Sequence, residues 1–207
     1  MDWAALAAVG RSMVDDMAGH LASLRERPAW QPLPVEVREA LRQEVPREPQ
    51  GLEAVYEEFR RLVLPYTNGN IHPRFWGWVQ GAGDPHAMLA AMLGAGMNPM
   101  SAGFQQSAPL VEAQVMAWLV ELMGFPAGTS GVFCSSGTMA NLLGLAVARH
   151  ARAGFDVREQ GLYGQTPLTV YCSTEAHGWA RRTAELLGIG NRHLRRIPVD
   201  ERFRMDL

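Results

Sequence analysis

Apolar residues recur at helical spacing along the first part of the chain. Trp3, Leu6, Met13, Met17, Leu21 and Leu24 predict an amphipathic helix over residues 2–25, with Asp2 as its N-cap. Pro28, Pro32 and Pro34 end it and make an extended link. A short helix over Val35–Gln43 follows, then a second proline break at Pro46 and Pro49. The next pattern predicts a helix over 51–63, with Leu52, Val55, Phe59, Leu62 and Val63 inward. Its outer face sets Glu53, Glu57 and Glu58 against Arg60 and Arg61. These helices, joined by proline links and without a strand, form an appendage that must pack on something else.

Residues 66–83, YTNGNIHPRFWGWVQGAG, change character and are rich in Gly, Asn and aromatics. Pro73 biases His72 towards extended backbone. In an extended chain Trp76 and Trp78 share one face and Phe75 takes the other. Two readings stand side by side: a hydrophobic plug between helices, or an aromatic wall of a small-molecule pocket. From residue 84 onward helices and short apolar runs alternate. Helices are predicted over 85–94 and 108–123, the second with Leu110, Val115, Leu119 and Leu122 on one side. Then come a strand over Gly131–Cys134, a helix over 137–153, a strand over 168–172, a helix over 176–187 and a strand over 194–197. This alternation argues an α/β layer with a parallel sheet, and three strands are few for a doubly wound one. The pattern thus divides the chain into a helical segment, 1–83, and an α/β segment, 84–207.

The composition adds one exclusion. All nineteen basic residues are arginine; the 207 residues contain no lysine. No side-chain amine of this polypeptide can form a Schiff base, because guanidinium is effectively never deprotonated. A Walker-type phosphate loop, which needs lysine, is excluded too. A net charge of −2 and a pI of about 6.3 give no global field for nucleic acid or an anionic membrane. Two cysteines, Cys134 and Cys172, are too few for a disulfide framework and fit a reducing cytoplasm. The first basic residue is Arg11, so no charged n-region of a signal peptide precedes an apolar stretch. The uncharged stretches 87–111 and 122–148 carry Gly, Pro, Asn, Gln, Ser and Thr breaks and read as interior segments rather than membrane spans.

Two constellations carry candidate chemistry. In SGVFCSSGTMAN, residues 130–141, a strand runs through Ser135, Ser136, Gly137 and Thr138 into a helix. Gly137 permits close backbone approach, Ser136 and Thr138 supply hydroxyls, and the helix start supplies unpaired N–H groups. This is an anion cradle that needs no cation; the alternative is ordinary N-capping by Ser or Thr. The second constellation, CSTEAH at 172–177, also lies just past a strand, where open α/β sheets bind ligands. His177 is then a base, a ligand or a flat platform; the alternative is a histidine in the first turn of a helix. The six histidines show no metal-ligand spacing, and no metal is expected. Cys134 reads as a buried strand-end thiol, and the basic run at 192–196 as a solvated face.

Taken in order, these pieces resemble the group II pyridoxal-phosphate-dependent decarboxylases, the family of aromatic-L-amino-acid and glutamate decarboxylases. The likeness rests on HPRFWGWVQGAG at 72–83, PLVEAQVMAWLVELMGFP at 109–126, SGVFCSSGTMANLLGLAVAR at 130–149 and VYCSTEAHGWARRTAELLG at 170–188. It covers essentially this whole chain and about the first half of a family member. The resemblance implies an N-terminal helical segment followed by the first part of a PLP-dependent transferase large domain (aspartate aminotransferase-like, fold type I), with its sheet incomplete. It implies pyridoxal 5′-phosphate as cofactor, with Ser136, Gly137 and Thr138 at the phosphate and His177 stacked on the pyridine ring and taking part in catalysis. Trp76 and Trp78 fall in the segment lining the substrate side, and the N-terminal helices fall where family members pack against a second subunit. The implied reaction removes the α-carboxylate of an L-amino acid as CO₂, the tryptophans favouring an aromatic substrate.

Two family residues have no counterpart among these residues: the aspartate that pairs with the pyridine nitrogen and the Schiff-base lysine. The chain is therefore expected to be inactive alone, whether it forms a homodimer, is completed by a complementing C-terminal fragment, or is a non-catalytic remnant or dimerisation module. A partial sheet with an unpaired edge is expected to leave uncovered apolar surface.

Overall fold

The computed structural model describes residues 1–100 and 105–206; residues 101–104, within the uncharged stretch 87–111, and residue 207 lie outside the described residues. The chain divides into two compact units, residues 1–103 and 104–207. The change of sequence pattern at 83/84 and the division of the units at 103/104 fall on either side of one helix, Pro85–Met97.

In the first unit, helix α1 (Trp3–Ala22) starts at Asp2, whose carboxylate accepts from the N–H groups of Ala4 and Ala5 at 2.9 and 3.0 Å. That is the cap expected from the sequence. Helix α2 (Val35–Ala40) is shorter than expected, and α3 (Leu52–Glu58) passes into a π-helical turn, Phe59–Val63, and a 3₁₀ turn, Leu64–Tyr66. Polar groups link α1 to α3. Tyr56 donates its hydroxyl to Asp16 at 2.8 Å, and Arg60 lies 3.4 Å from the same carboxylate and 2.9 Å from Glu57. Of the five apolar residues expected to face inward from 51–63, only Leu62 is buried. The π turn accounts for part of this, since it breaks the 3.6-residue period on which one inward stripe depends.

A cavity of about 80 Å³ is lined by His20, Leu24, Arg27, Gln31, Leu64 and His72, among others. Burial, and then the Arg27 guanidinium, hold the His20 imidazole below its ordinary pKa. Helix α4 (Pro85–Met97) starts on Asp84, whose carboxylate accepts from the N–H groups of His86 and Ala87. These two backbone bonds, and then His86 itself, lower the Asp84 pKa. Asn98, at φ 43°, ends the helix in the left-handed conformation, three residues later than the Gly-containing pattern suggests.

In the second unit, helices α5 (Ser107–Leu122), α6 (Gly137–Arg152), α7 (Val157–Gln160) and α8 (Trp179–Leu186) accompany a two-stranded parallel sheet. Strand β1 (Val170–Ser173) pairs with β2 (Leu194–Ile197) in the register Val170 to Leu194 through Ser173 to Ile197. Helix α8 is sharply two-faced. Ala180, Thr183 and Ala184 are buried while Arg181 reaches Glu185 at 3.0 Å on the outside. Arg149 of α6 donates to the Leu187 carbonyl at 2.7 Å, placing a cation on the carbonyl end of α8.

The third expected strand is corrected: residues 131–134 carry no strand assignment, and Val132 and Phe133 are exposed. A strand exists only through a neighbour that takes its N–H and C=O groups, and among the described residues the one ladder joins β1 to β2, beside an isolated bridge between Val199 and Met205. The apolar run found by periodicity has no such neighbour among the described residues.

The chain exposes 16,580 Å². A folded monomer of this mass exposes about 9,600 Å², and two independent half-size domains about 11,500 Å². The surplus is therefore about 5,000 Å² even on the second count. Helix α4 illustrates it. Its sequence PHAMLAAMLGAGM is apolar around its whole circumference, the pattern of an enclosed helix, yet none of its residues is buried.

Candidate cofactor site

The candidate phosphate loop lies at the start of α6. Ser136, extended at φ −163° and ψ 160°, is its N-cap, with Oγ accepting from the Met139 N–H at 3.3 Å. Its carbonyl accepts from the Ala140 N–H at 3.0 Å. The N–H groups of Gly137 and Thr138 take no acceptor among the described residues, which is the ordinary state of the first helical positions. A Cβ added at Gly137 meets nothing within 4 Å, so the Cβ side of this residue is open. Asn141, a residue the sequence reading gave no role, donates Nδ2 to the Gly137 carbonyl at 2.8 Å and ties the first turn down. The signal for it was an amide side chain one turn after Gly137. Ser136 and Gly137 are exposed and Thr138 is half-buried. Two free N–H groups, the positive end of a sixteen-residue helix and hydroxyls at 136 and 138 suit a dianionic phosphate. Capping and anion binding are thus compatible here, because the cap uses Met139 and leaves the two N–H groups before it.

His177 follows β1 through a turn closed by the Ala176 N–H to the Ser173 carbonyl at 3.1 Å. It lies before α8, which begins at Trp179, and so is outside the first helical turn where the sequence reading set its alternative role. Its Nδ1 accepts from the Trp179 N–H at 3.3 Å. Nδ1 then holds the lone pair and Nε2 the proton, so the neutral ring is fixed in one tautomer. The ring is exposed. It can present a flat face to a heteroaromatic ring and an N–H to a carboxylate. In the same unit, helices α6 and α8, whose starts adjoin Thr138 and His177, pack together.

Trp76 and Trp78 belong to the first unit and are 92% and 79% exposed. The expected alternation of faces is corrected. Residues 71–74 form turns and 77–79 a bend, and Trp78 has φ 57°, a left-handed backbone that a strand does not allow. The Phe75 and Trp78 rings therefore meet, with centroids 6.1 Å apart. Within the first unit the two indoles are not a buried plug between its helices. The His72 carbonyl accepts from the Phe75 N–H at 2.9 Å, which puts Pro73 at the second position of a β-turn, where proline is favoured.

Residues 34–207 match the sequence family described as the pyridoxal-dependent decarboxylase conserved domain. The chain belongs to this family. Cysteine sulfinic acid decarboxylase of Mus musculus is 31% identical over 175 residues, which are 83% of this chain and 35% of that protein. Aromatic-L-amino-acid decarboxylase of Bacillus atrophaeus is 26% identical over 202 residues, 96% of this chain and 40% of that protein. The crystal structure of mouse CSAD superposes with a TM-score of 0.82 at 29% identity, covering 99% of this chain and 44% of that one. Tryptophan decarboxylase of Catharanthus roseus shares the fold, with a TM-score of 0.79 at 22% identity. The chain thus spans between about a quarter and two fifths of the length of the curated relatives it matches. Its fold is a partial fold type I domain, and the cofactor of this decarboxylase family is pyridoxal phosphate. Among the described residues no helix is long and apolar enough to cross a membrane.

Proposed function

We propose that this chain supplies the phosphate loop and the ring platform of a PLP-dependent amino-acid decarboxylase and is completed by polypeptide that brings the lysine. The observation that carries this reading is the pair of free N–H groups at Gly137 and Thr138, with the Cβ side of Gly137 open, in a chain of this family. Pyridoxal phosphate, when bound, supplies an electron sink for the carbanion left by loss of CO₂. Gly137 and Thr138 would hold its phosphate through their N–H groups, with the Ser136 and Thr138 hydroxyls beside them. His177 would lie on the ring face, its orientation set by the Trp179 N–H, with the Nε2 proton available to the substrate carboxylate. Trp76 and Trp78 would line the substrate side. Exposed indoles favour an aromatic L-amino acid, the class named for the Bacillus relative, over an acidic one such as cysteine sulfinic acid.

The surplus surface supports completion by more than dimerisation. An obligate contact with a second copy covers roughly 1,000–2,500 Å² per protomer. A surplus of about 5,000 Å² is roughly twice the top of that ordinary range, which only an unusually extensive dimer contact would cover. We place the assembly in the cytoplasm, in keeping with two free thiols, Cys134 and Cys172. A second reading, a non-catalytic remnant or dimerisation module, is favoured by the absence of lysine in these 207 residues.

The experiment that separates the readings measures CO₂ released from L-[1-¹⁴C]phenylalanine or L-[1-¹⁴C]tryptophan in the presence of PLP. The chain alone is expected to release none. Co-expressed with the polypeptide encoded immediately downstream, it is expected to turn over. Silence in both preparations with these two substrates and with carboxyl-labelled L-cysteine sulfinic acid removes the decarboxylase reading and leaves the remnant; turnover of the acidic substrate alone removes only the aromatic preference.

A further inference from the structure

His72 is 4% exposed, and both of its ring nitrogens are used by backbone groups. Nδ1 accepts from the Arg74 N–H at 3.0 Å, two residues along the same loop. That fixes the neutral tautomer with the proton on Nε2, which donates to the Arg27 carbonyl at 3.1 Å, forty-five residues away in sequence. One ring therefore joins the aromatic loop to the segment that follows α1. Two further features act at the same seam. The Arg74 guanidinium donates to the Arg25 carbonyl at 3.3 Å. At Gly69, φ 78°, an added Cβ would lie 1.8 Å from the Ala29 carbonyl oxygen, so only glycine lets the two segments approach so closely. The far end of the loop is closed by its own amides: Asn68 donates to Gln80 at 3.0 Å and Asn70 to the Gly81 carbonyl at 2.8 Å. Between these anchored ends stand Phe75, Trp76 and Trp78, the last two without cover. An exposed indole at left-handed φ keeps its place only if the backbone on both sides is held.

We propose that His72 is a positioning residue: by bridging Arg27 and Arg74 it sets where Trp76 and Trp78 stand. The consequence for substrate rests on the reading of these tryptophans as the substrate-side wall. The bridge itself does not.

The test uses the full chain labelled with 5-fluorotryptophan and followed by ¹⁹F NMR. The six tryptophans give six resonances, and those of Trp76 and Trp78 are assigned with Trp76→Phe and Trp78→Phe. His72→Ala is expected to move both towards the free amino acid, and to speed amide exchange over residues 74–83 by about tenfold or more. Trp118 and Trp179 are expected to stay where they are. His72→Asn keeps an acceptor for the Arg74 N–H and loses the bridge, so the two resonances still move. His72→Gln keeps a donor at the reach of Nε2 and is expected to return them most of the way. Unchanged Trp76 and Trp78 resonances in His72→Ala would overturn the proposal. So would movement of all six together with no return in His72→Gln, because the imidazole would then serve only general stability. Adding L-phenylalanine to the wild-type chain separates the two layers. A shift confined to Trp76 and Trp78 supports the substrate-side reading, and no shift removes that reading while leaving the bridge to the variants.

Discussion

Replacing Gly137 by valine is expected to leave the chain folded and to abolish its preference for pyridoxal phosphate over pyridoxal. The substitution is mild for the protein. Gly137 is not at positive φ, nothing lies within 4 Å of its new Cβ, and valine is a better helix former than glycine. It is severe for a phosphate seated on the Gly137 N–H, because the branched side chain fills the space beside that donor. A hydrogen bond to a charged group contributes about 1.5–3 kcal/mol, so affinity for pyridoxal phosphate should fall roughly 10- to 150-fold. Pyridoxal, which lacks the phosphate, should bind valine variant and wild type alike. Isothermal titration with both compounds reads the difference, and thermal melting checks that α6 is intact. Equal losses for both ligands would place the phosphate elsewhere.

His177 gives the complementary pattern. A ring platform acts on the pyridine ring, which both ligands carry, so its removal should weaken both by the same factor. Aromatic stacking is worth about 0.5–1.5 kcal/mol, or roughly 2- to 13-fold. The variant to use is His177→Asn. It retains an acceptor for the Trp179 N–H, so the start of α8 keeps its bond while the ring is lost. His177→Phe should restore ring contact and recover most of the affinity. If His177→Asn binds both compounds as the wild type does, His177 serves the helix start and not the cofactor.

In the fold and at the candidate site alike, what was legible in the sequence was what depends on local order. Asp2 and Ser136 announced helix starts, and both caps are present. The loop at 136–138 was readable because one residue type permits approach, two carry hydroxyls, and a helix follows within the same few positions. What periodicity could not supply was the neighbour. Residues 131–134 are as apolar as β1, but a strand needs a ladder partner, and no pattern within four residues says whether one is present. The inward face assigned to 51–63 failed similarly, since only Leu62 finds cover. Turn chemistry hid the rest. Trp78 at φ 57° overturned the alternation expected of an extended FWGW run, and the His72 bridge joins segments forty-five residues apart, beyond any local window.

The absence of lysine limits how this chain can hold the cofactor. No side chain in these residues carries a primary amine, so what the side chains and backbone contribute to cofactor affinity must come from phosphate and ring contacts. The decisive measurement is the ratio of dissociation constants for pyridoxal and pyridoxal phosphate on the wild-type chain, with borohydride reduction and peptide mapping of the same samples. A chain that carries half of the cofactor site binds pyridoxal phosphate at least about tenfold more tightly, as one charge-assisted contact requires, and yields no reduced adduct on any side chain. Equal affinities, or an adduct mapped to a side chain, would contradict it.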